Sequence, residues 1–270
     1  MRYRIILSYD GASFCGWQMQ PDRPSIQEAL QTALGILLKC PVSITGAGRT
    51  DTSVNAWHYV AHFDTASAIP DCEQLRYRLN AILPESVCIN SIAEAASDFH
   101  SRFDATRREY TYFLHRCKDP FVAKYSYFYA YPGLDFERMN RAARELTGRH
   151  DFACFEKSGS DTKTSVCTVY EAFWAPYTPV LPMVSGIDSA GCRDYWYFRI
   201  SADRFLRNMV RAVVGTLLEI GRGKRDAGSI SELVGPSIPD GAQVPKGGTR
   251  RSLSGESVPG HALFLSRVDY

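Results

Sequence analysis

The stretch RYRIILSY, residues 2–9, indicates how the chain begins to fold, because polar and apolar side chains alternate along it. Side chains two residues apart point to the same face of a β-strand. On one such face lie Tyr3, Ile5, Leu7 and Tyr9. The stretch therefore predicts a first strand that buries this face against a partner layer.

The next periodic segment, PSIQEALQTALGILLK at 24–39, carries its apolar residues at helical spacing. They form a single stripe, which predicts an amphipathic helix. Ser25 and Glu28 have the spacing of a capping box at its start, and Pro41 lies just beyond its end. A strand followed by an amphipathic helix is thus the first unit of the predicted fold.

The same rhythm continues to the C-terminus. Further strands are predicted at 42–45, 57–65, 87–95, 99–106, 108–116, 165–175, 194–201 and 262–270, and further helices at 71–83, 135–148, 203–221 and 230–235. The segment 203–221 is predicted to be the longest helix. Residues 236–260, rich in Gly, Pro and Ser, are predicted to form a long mobile surface loop. The order of elements predicts an α+β protein with two sheet-plus-helix lobes.

The composition is that of an average soluble protein, with 45% hydrophobic and 22% charged residues among 270 and a net charge of +2. No apolar run approaches the length of a membrane span, and the N-terminus does not resemble a signal peptide. The eight cysteines include no C-x-x-C pair, which disfavours a zinc site. We predict a cytoplasmic protein with reduced thiols.

The stretch GAGRTD, residues 46–51, is open to two interpretations. It lacks the third glycine of a dinucleotide fingerprint and the Gly-Lys of a P-loop. It can be an ordinary turn between strands in which Asp51 is a turn residue. Alternatively, it is a tight loop that presents the carboxylate of Asp51 with Arg49 on the same side.

A second candidate lies in the predicted helix 203–221. At 100° per residue, one third of its circumference carries Arg204, Arg207, Asn208 and Arg211, with no acidic residue among them. Arg222, Lys224 and Arg225 extend the charge past its end. The face can be an ordinary solvated surface or a binding face for phosphate or carboxylate groups, for which arginine is well suited.

A third candidate is FDATRREYTYF, residues 103–113, where Arg107 and Arg108 precede Tyr110 and Tyr112. Basic residues interleaved with exposed aromatic rings suit a surface that holds phosphates and stacks an unpaired base. The alternative is a strand whose tyrosines pack in the core. For Tyr112 we favour packing in the core. For Tyr110, packing in the core and stacking on a base are equally well supported by the sequence.

Five ordered stretches together resemble the TruA-type tRNA pseudouridine synthases over nearly the whole chain. They are YDGASFCGWQMQP, GAGRTDTSVNA with the following VAHFDT, FHSRFDATRREYTY, FLRNMVRAVVGTLLEIGRGK and VPGHALFLSRVDY. The resemblance implies that Asp51 is the catalytic aspartate and Arg49 the loop arginine that holds the nucleotide out of the stack. It also implies that Tyr110 stacks on the target uracil and that Arg211 pairs with the catalytic aspartate.

The resemblance further implies isomerisation of uridine to pseudouridine at positions 38, 39 and 40 of the tRNA anticodon stem-loop, without cofactor or metal, by a homodimer. The implied fold is two ferredoxin-like α/β lobes joined in one extended, mainly antiparallel sheet, with helices on one face and a central active-site cleft. The expected lobes are residues 1–106, with the catalytic loop, and 107–270. Expected RNA contacts are Arg107, Arg108, Arg204, Arg207, Asn208, Arg222 and Lys224.

The chain departs from the family pattern in its catalytic loop. The family usually has glycine at the position of Ser53 and histidine at the position of Asn55. A non-catalytic RNA-binding module remains an alternative, since the same basic and aromatic surface would serve it. A nucleotide-binding enzyme that uses GAGRTD as a phosphate loop is a third, and it predicts measurable affinity for ATP or NAD.

Overall fold

The structure, a computed structural model, describes residues 1–159, 162–180, 194–242 and 250–270. Five α-helices lie wholly within these ranges: α1 (Ile26–Leu38), α2 (Cys72–Ile82), α3 (Phe136–Arg144), α4 (Met209–Gly221) and α5 (Ser229–Val234). The strands within them are β1 (Arg2–Tyr9), β2 (Ile44–Gly46), β3 (Asn55–Asp64), β4 (Val87–Ala95), β5 (Arg107–His115), β6 (Tyr127–Phe128), β7 (Gly148–Asp151), β8 (Val166–Pro176), β9 (Tyr195–Ala202) and β10 (Leu263–Asp269).

The chain divides into two compact units, the first formed by residues 1–108 with 264–270 and the second by residues 109–263. In the first unit the strand order is β4-β1-β3-β10, and β2 also pairs with β3. In the second it is β5-β9-β8-β7, and β6 also pairs with β5. Antiparallel pairing dominates, with parallel pairs at β3–β10 and β5–β6. The predicted α+β class is confirmed.

The closing strand β10 lies beside β3 of the first unit, where Phe264 is opposite Asn55. The sequence-based division into residues 1–106 and 107–270 places this strand in the second lobe. Alternation along a strand shows which side chains share a face, but not which distant strand becomes its neighbour. The first unit therefore contains both ends of the chain.

The opening strand and helix form as the sequence predicted. The predicted inner face of β1 is buried, with exposed fractions of at most 5% for Tyr3, Ile5, Leu7 and Tyr9. The Ser25 hydroxyl accepts a hydrogen bond from the Glu28 amide, which caps α1. Leu30 and Leu34 are fully buried on the inner face of α1, and each contributes about 1.5–3 kcal/mol through removal of apolar surface from water.

The predicted strand at 99–106 is wrong, because this segment forms a compact turn. The His100 amide donates to the Asp104 carboxylate at 2.7 Å, and the Asp104 amide donates to the His100 carbonyl at 3.0 Å. Side chains that bind nearby backbone groups compete with strand pairing. The alternation of polar and apolar residues in FHSRFDAT therefore does not indicate a β-strand here.

The predicted helix at 203–221 begins later than expected, since α4 starts at Met209, and its 13 residues equal the length of α1. Asp203 instead pairs with β8: its carboxylate accepts from the Thr168 amide, and its own amide donates to the Thr168 carbonyl. Asn208 then adopts a left-handed backbone with φ of 66°. A helical face that combines Arg204, Arg207, Asn208 and Arg211 therefore does not exist.

The predicted mobile loop at 236–260 is wrong for its last part, and residues 243–249 lie outside the described ranges. Within the second unit, the Gly255 amide donates to the Thr216 hydroxyl of α4 at 2.8 Å. A Cβ on Gly215 would lie 1.7 Å from the carbonyl oxygen of Glu256, so chain and helix pack backbone to backbone. The Gly, Pro and Ser content of a segment does not indicate whether it packs against a helix that is distant in sequence. The contacts with α4 were therefore not predictable from this composition.

The prediction of reduced thiols holds for six cysteines, which are free: Cys15, Cys40, Cys72, Cys88, Cys154 and Cys167. It is wrong for Cys117, which is disulfide-bonded. Cys192 lies outside the described residues. Disulfide formation depends on the distance and direction of two side chains, which the spacing of cysteines in a sequence does not give.

Candidate active-site loop

The GAGRTD segment joins β2 to β3 as a loop fixed at both ends. The Ala47 amide donates to the Val60 carbonyl at 2.8 Å, and the Val54 amide closes a turn on the Asp51 carbonyl at 3.2 Å. The residue that follows the turn, Asn55, begins β3 and not a helix. The loop therefore lacks the helix N-terminus that a phosphate-binding loop uses.

An aromatic pair supports the first half of this loop. The rings of Trp17 and Tyr59 stack with centroids 4.1 Å apart, and both side chains are buried. The Tyr59 hydroxyl donates a hydrogen bond to the Gly48 carbonyl. A Cβ on Gly46 would lie 2.1 Å from that hydroxyl oxygen and 2.7 Å from Trp17, so only glycine fits against the pair.

Thr50 anchors the second half of the loop. Its hydroxyl pairs with the Tyr9 hydroxyl at 2.9 Å, and its carbonyl accepts from the Trp17 amide at 3.2 Å. Thr50 is only 7% exposed, whereas its neighbours Arg49 and Asp51 are exposed and partly exposed. The loop thus buries the residue between them and leaves both of them at least partly accessible. The second interpretation of GAGRTD stays a prediction.

Arg107 and Arg108 start β5 at the edge of the first unit. The guanidinium of Arg108 donates to three backbone carbonyls, those of Ala105 at 2.9 Å, Arg102 at 2.6 Å and Ala47 at 3.2 Å. It therefore ties the turn at 100–104 to the loop that carries Asp51. Its predicted contact with RNA stays a prediction.

We expect Arg108→Ala to lower the free energy of unfolding by about 2 kcal/mol, because carbonyls would lose a charged donor. Arg108→Lys should recover less than half of this loss, since an ammonium group lacks the planar fork that reaches several acceptors. Urea unfolding measures both. An unchanged free energy of unfolding in Arg108→Ala would contradict the bracing role. The predicted contact with RNA would then be the remaining role for Arg108.

The second unit holds the other predicted site residues. Tyr110 on β5 is half-buried, and its ring meets Phe205 edge to face at 5.1 Å. Tyr112 has no exposed surface, which confirms the core interpretation for that tyrosine. Arg211 in the first turn of α4 donates from Nε to the Val258 carbonyl at 2.7 Å. This contact fixes the direction of the Arg211 side chain within its unit.

The predicted RNA contacts of this unit are dispersed along the chain. Arg204 and Arg207 precede α4, and the Asn208 side-chain amide donates to the Ser257 hydroxyl at 2.6 Å. At the other end of α4, the Arg222 guanidinium donates to the Tyr129 hydroxyl and lies 4.1 Å above the Tyr131 ring. Lys224 lies two residues further along the chain, and both Arg207 and Lys224 are exposed.

Two further classes of site are absent from the described residues. None of their helices combines the length and the apolar character that crossing a membrane requires. Those residues also contain no group of three or more His, Cys, Asp or Glu side chains that could hold a metal ion.

Comparison with known proteins decides the family. A model of the tRNA pseudouridine synthase family matches residues 142–270. The protein called tRNA pseudouridine synthase A in Parabacteroides distasonis is 42% identical over 270 residues, covering 100% of this chain and 96% of that protein. The protein of the same name in Bacteroides thetaiotaomicron is 41% identical, with 100% and 90% covered, and that in Bacillus subtilis is 36% identical, with 100% and 99% covered.

The chain belongs to the tRNA pseudouridine synthase A family. The resemblance predicted from five motifs is thereby confirmed. The family model covers the stretch that contains α4 and β10, while the full-length relatives also include the loop at 46–51. The catalytic and RNA-binding roles of individual residues of the present chain stay predictions.

The two departures from the family pattern have distinct structural consequences. Ser53 adopts a left-handed backbone with φ of 62°, a conformation that glycine adopts without strain. Asn55 is 1% exposed, and its side-chain oxygen accepts a hydrogen bond from the Gly11 amide at 2.8 Å. Asn55 therefore fastens the end of the loop to the segment after β1, and Ser53 carries strain within it.

We expect Ser53→Gly to raise the free energy of unfolding by about 1 kcal/mol, because a left-handed backbone costs an ordinary residue about 1–2 kcal/mol. Ser53→Ala is the matched control, since it keeps that cost and removes the hydrogen bond from the Ser53 hydroxyl to the Thr52 carbonyl. Urea unfolding of the three proteins measures the effect. Equal stability of both variants would refute the assignment of strain to Ser53.

Several residues that shape the loop were not recognised from the sequence. Tyr9, Trp17 and Tyr59 hold it. The sequence places Tyr9 on the inner face of β1, and Tyr9 and Trp17 in the motif YDGASFCGWQMQP, but it assigns none of these rings a role at the loop. The available signal is that Tyr9 and Trp17 belong to the first family-like motif and that Tyr59 lies in the strand that follows GAGRTD. What they contact could not be deduced, because Trp17 and Tyr59 are 42 positions apart and meet only in the folded unit.

Proposed function

We propose that the chain isomerises uridine to pseudouridine at positions 38, 39 and 40 of the tRNA anticodon stem-loop, with ionised Asp51 acting on a flipped-out uridine. The coarser part rests on family membership: the chain is an isomerase that forms pseudouridine in tRNA. The observation that carries the finer part is the braced loop, which presents Asp51 between the buried Thr50 and a closed turn.

The reaction needs one well-placed carboxylate. The bond from C1′ to N1 breaks, the uracil turns, and C1′ joins C5, while C5 loses a proton and N1 gains one. Nothing is oxidised and no water is consumed. A carboxylate can serve as nucleophile or base in such a sequence. Its placement matters as much as its charge. Tyr59 and Tyr9 hold the loop before Asp51, at Gly48 and Thr50, and the turn from Asp51 to Val54 closes it afterwards.

The target uridine lies in a stacked stem end and must leave the stack before it can react, at a cost of a few kcal/mol. We assign the compensating stack to Tyr110, because base–aromatic stacking contributes about 1–3 kcal/mol. The Tyr110 ring packs in a T-shaped arrangement with Phe205, with ring centroids 5.1 Å apart. Arg49, which is exposed on the loop, is assigned to hold the opened nucleotide.

Charged groups outside the loop complete the proposal. Arg211 is assigned as the guanidinium that balances the catalytic carboxylate, and its Nε contact with the Val258 carbonyl supports a fixed direction for it. Contacts with the RNA backbone are assigned to Arg107, Arg108, Arg204, Arg207, Asn208, Arg222 and Lys224. Such contacts position an RNA without reading its sequence. The working unit is proposed to be a homodimer that uses no cofactor or metal.

The test maps pseudouridine in an unmodified tRNA transcript that carries uridines at positions 38, 39 and 40. The transcript is incubated with the protein without added cofactor or metal. Pseudouridine at those positions is the expected result. Pseudouridine at other tRNA positions would refute the assignment of the region while leaving the reaction class intact.

A further inference from the structure

The turn at residues 100–104 is built as a rigid support. Ser101 is fully buried, and its hydroxyl pairs with His62 Nδ1 at 2.9 Å and donates to the Thr45 carbonyl at 2.8 Å. The amides of Arg102 and Phe103 both point at His100 Nδ1, at 3.2 and 3.3 Å. The turn is therefore fixed from inside, although its outer residues are exposed.

Two side chains leave this support for solvent. Phe103 is 75% exposed, and Arg102 is exposed with its guanidinium carbon 5.8 Å from the Phe103 ring centroid. A single exposed apolar residue is ordinary on a protein surface. An exposed ring on a rigid turn beside a guanidinium is different, because little conformational entropy is lost when a ligand covers it.

The exposed ring is also the outer member of a chain of three aromatic rings. His62 is 5% exposed and meets His100 in a T-shaped arrangement at 63° with ring centroids 4.9 Å apart, and His100 meets Phe103 at 4.2 Å with an interplanar angle of 31°. Burial lowers the pKa of His62, which favours its uncharged form beside His100. The outer face of Phe103 is thus a platform on which one further planar group can stack.

The platform is connected to the loop that carries Asp51. A single Nη2 atom of Arg108 donates to the carbonyl of Arg102 in the turn and to that of Ala47 in the loop. Asp51 follows Ala47 by four residues, which span at most about 14 Å when extended. The platform and the candidate catalytic carboxylate therefore lie within the dimensions of a few nucleotides.

We propose that Phe103 stacks on an unpaired base of the tRNA next to the reacting uridine, and that Arg102 binds the phosphate beside that base. This inference rests on the proposed function and adds to it a second stacking contact with the tRNA, besides the one assigned to Tyr110. Aromatic rings stack with any base, and arginine binds phosphate in a forked geometry. The pair would hold the neighbouring nucleotide in place while the target uridine leaves the stack.

The experiment measures the affinity of the full-length protein for an anticodon stem-loop RNA as a function of salt concentration. Phe103→Ala should weaken binding by about 5- to 150-fold, the equivalent of one base–aromatic stack. It should leave the slope of log K against log salt unchanged. Arg102→Ala should make this slope shallower by about one, as expected when one phosphate contact is lost. Phe103→Tyr should bind as the wild type does, because it keeps the ring.

The matched control is Phe121→Ala, which removes a phenylalanine of almost the same exposure, 74%, in the other unit. It should change affinity by less than about twofold. Equal effects of Phe103→Ala and Phe121→Ala would overturn the proposal. A changed oligomeric state with unchanged RNA affinity would also overturn it, in favour of a contact between copies of the chain.

Pseudouridine formation by the wild type separates this inference from the proposed function. If the wild type modifies positions 38–40 and Phe103→Ala keeps full affinity, only the inference fails. If the wild type forms no pseudouridine at these positions while Phe103→Ala still weakens RNA binding, the proposed function fails and the stacking contact stands.

Discussion

Asp51→Ala is expected to lower the rate of pseudouridine formation at positions 38–40 by at least about 1,000-fold, equivalent to about 4 kcal/mol of transition-state stabilisation. The neighbouring groups cannot replace the carboxylate, because residues 46–54 include no second acidic side chain and the buried Thr50 hydroxyl is paired with the Tyr9 hydroxyl. Single-turnover rates with saturating enzyme measure the loss without interference from product release.

Affinity for tRNA should stay constant or rise in Asp51→Ala. The substitution removes a negative charge from a surface that meets a polyanion, and like charges that approach each other cost free energy. The matched control is Asp64→Asn on β3, which alters a carboxylate paired with Arg2 at 2.8 Å on the surface of the same unit. Asp64→Asn should retain nearly full activity. Retained turnover in Asp51→Ala would remove Asp51 from the catalytic role.

The periodicity of the sequence correctly predicted those strands and helices whose position depends on neighbouring residues in the chain. β1 and α1 follow the alternation and the apolar stripe of the sequence, and Ser25 caps the helix at the expected position. The turn at 100–104 and the segment before α4 were mispredicted for one shared reason. In both, side chains such as Asp104 and Asp203 bind backbone groups that a regular element would otherwise use.

The sequence suggested candidate reactive residues for the site, but it did not reveal which residues hold the loop in place. The resemblance implies roles for Asp51 and Arg49 that stay predictions, and in the structure Arg49 is exposed and Asp51 partly exposed. The residues that hold the loop could not be deduced, because Tyr9, Trp17 and Arg108 reach it from distant parts of the chain. Arg108 illustrates the limit: two adjacent arginines looked alike as RNA contacts, yet this one donates to three backbone carbonyls.

Gly46→Ala is expected to lower kcat by about 100-fold, the scale of loss that a 1 Å displacement of a catalytic group produces. The new methyl group would lie 2.1 Å from the Tyr59 hydroxyl oxygen and 2.7 Å from two ring carbons of Trp17. Neither ring can withdraw, since the two are stacked and have exposed fractions of only 0% and 3%. The loop backbone must therefore move, and Asp51 moves with it.

Gly48→Ala is the matched control in the same loop. A Cβ on Gly48 would find no atom within 4 Å, and the backbone of Gly48 is not left-handed. The Gly48 carbonyl can still accept from Tyr59, so kcat should change by less than about threefold. Rates and thermal unfolding are measured for both variants, at a temperature where each is fully folded.

The two glycines separate placement of the carboxylate from mere flexibility of the loop. Both substitutions reduce backbone freedom to a similar degree, but only Gly46→Ala creates a clash with the aromatic pair. If activity depended on loop flexibility, the two variants would lose similar amounts of kcat. A large loss in Gly46→Ala alone, with KM for tRNA nearly unchanged, would mean that Trp17 and Tyr59 set the position from which Asp51 acts.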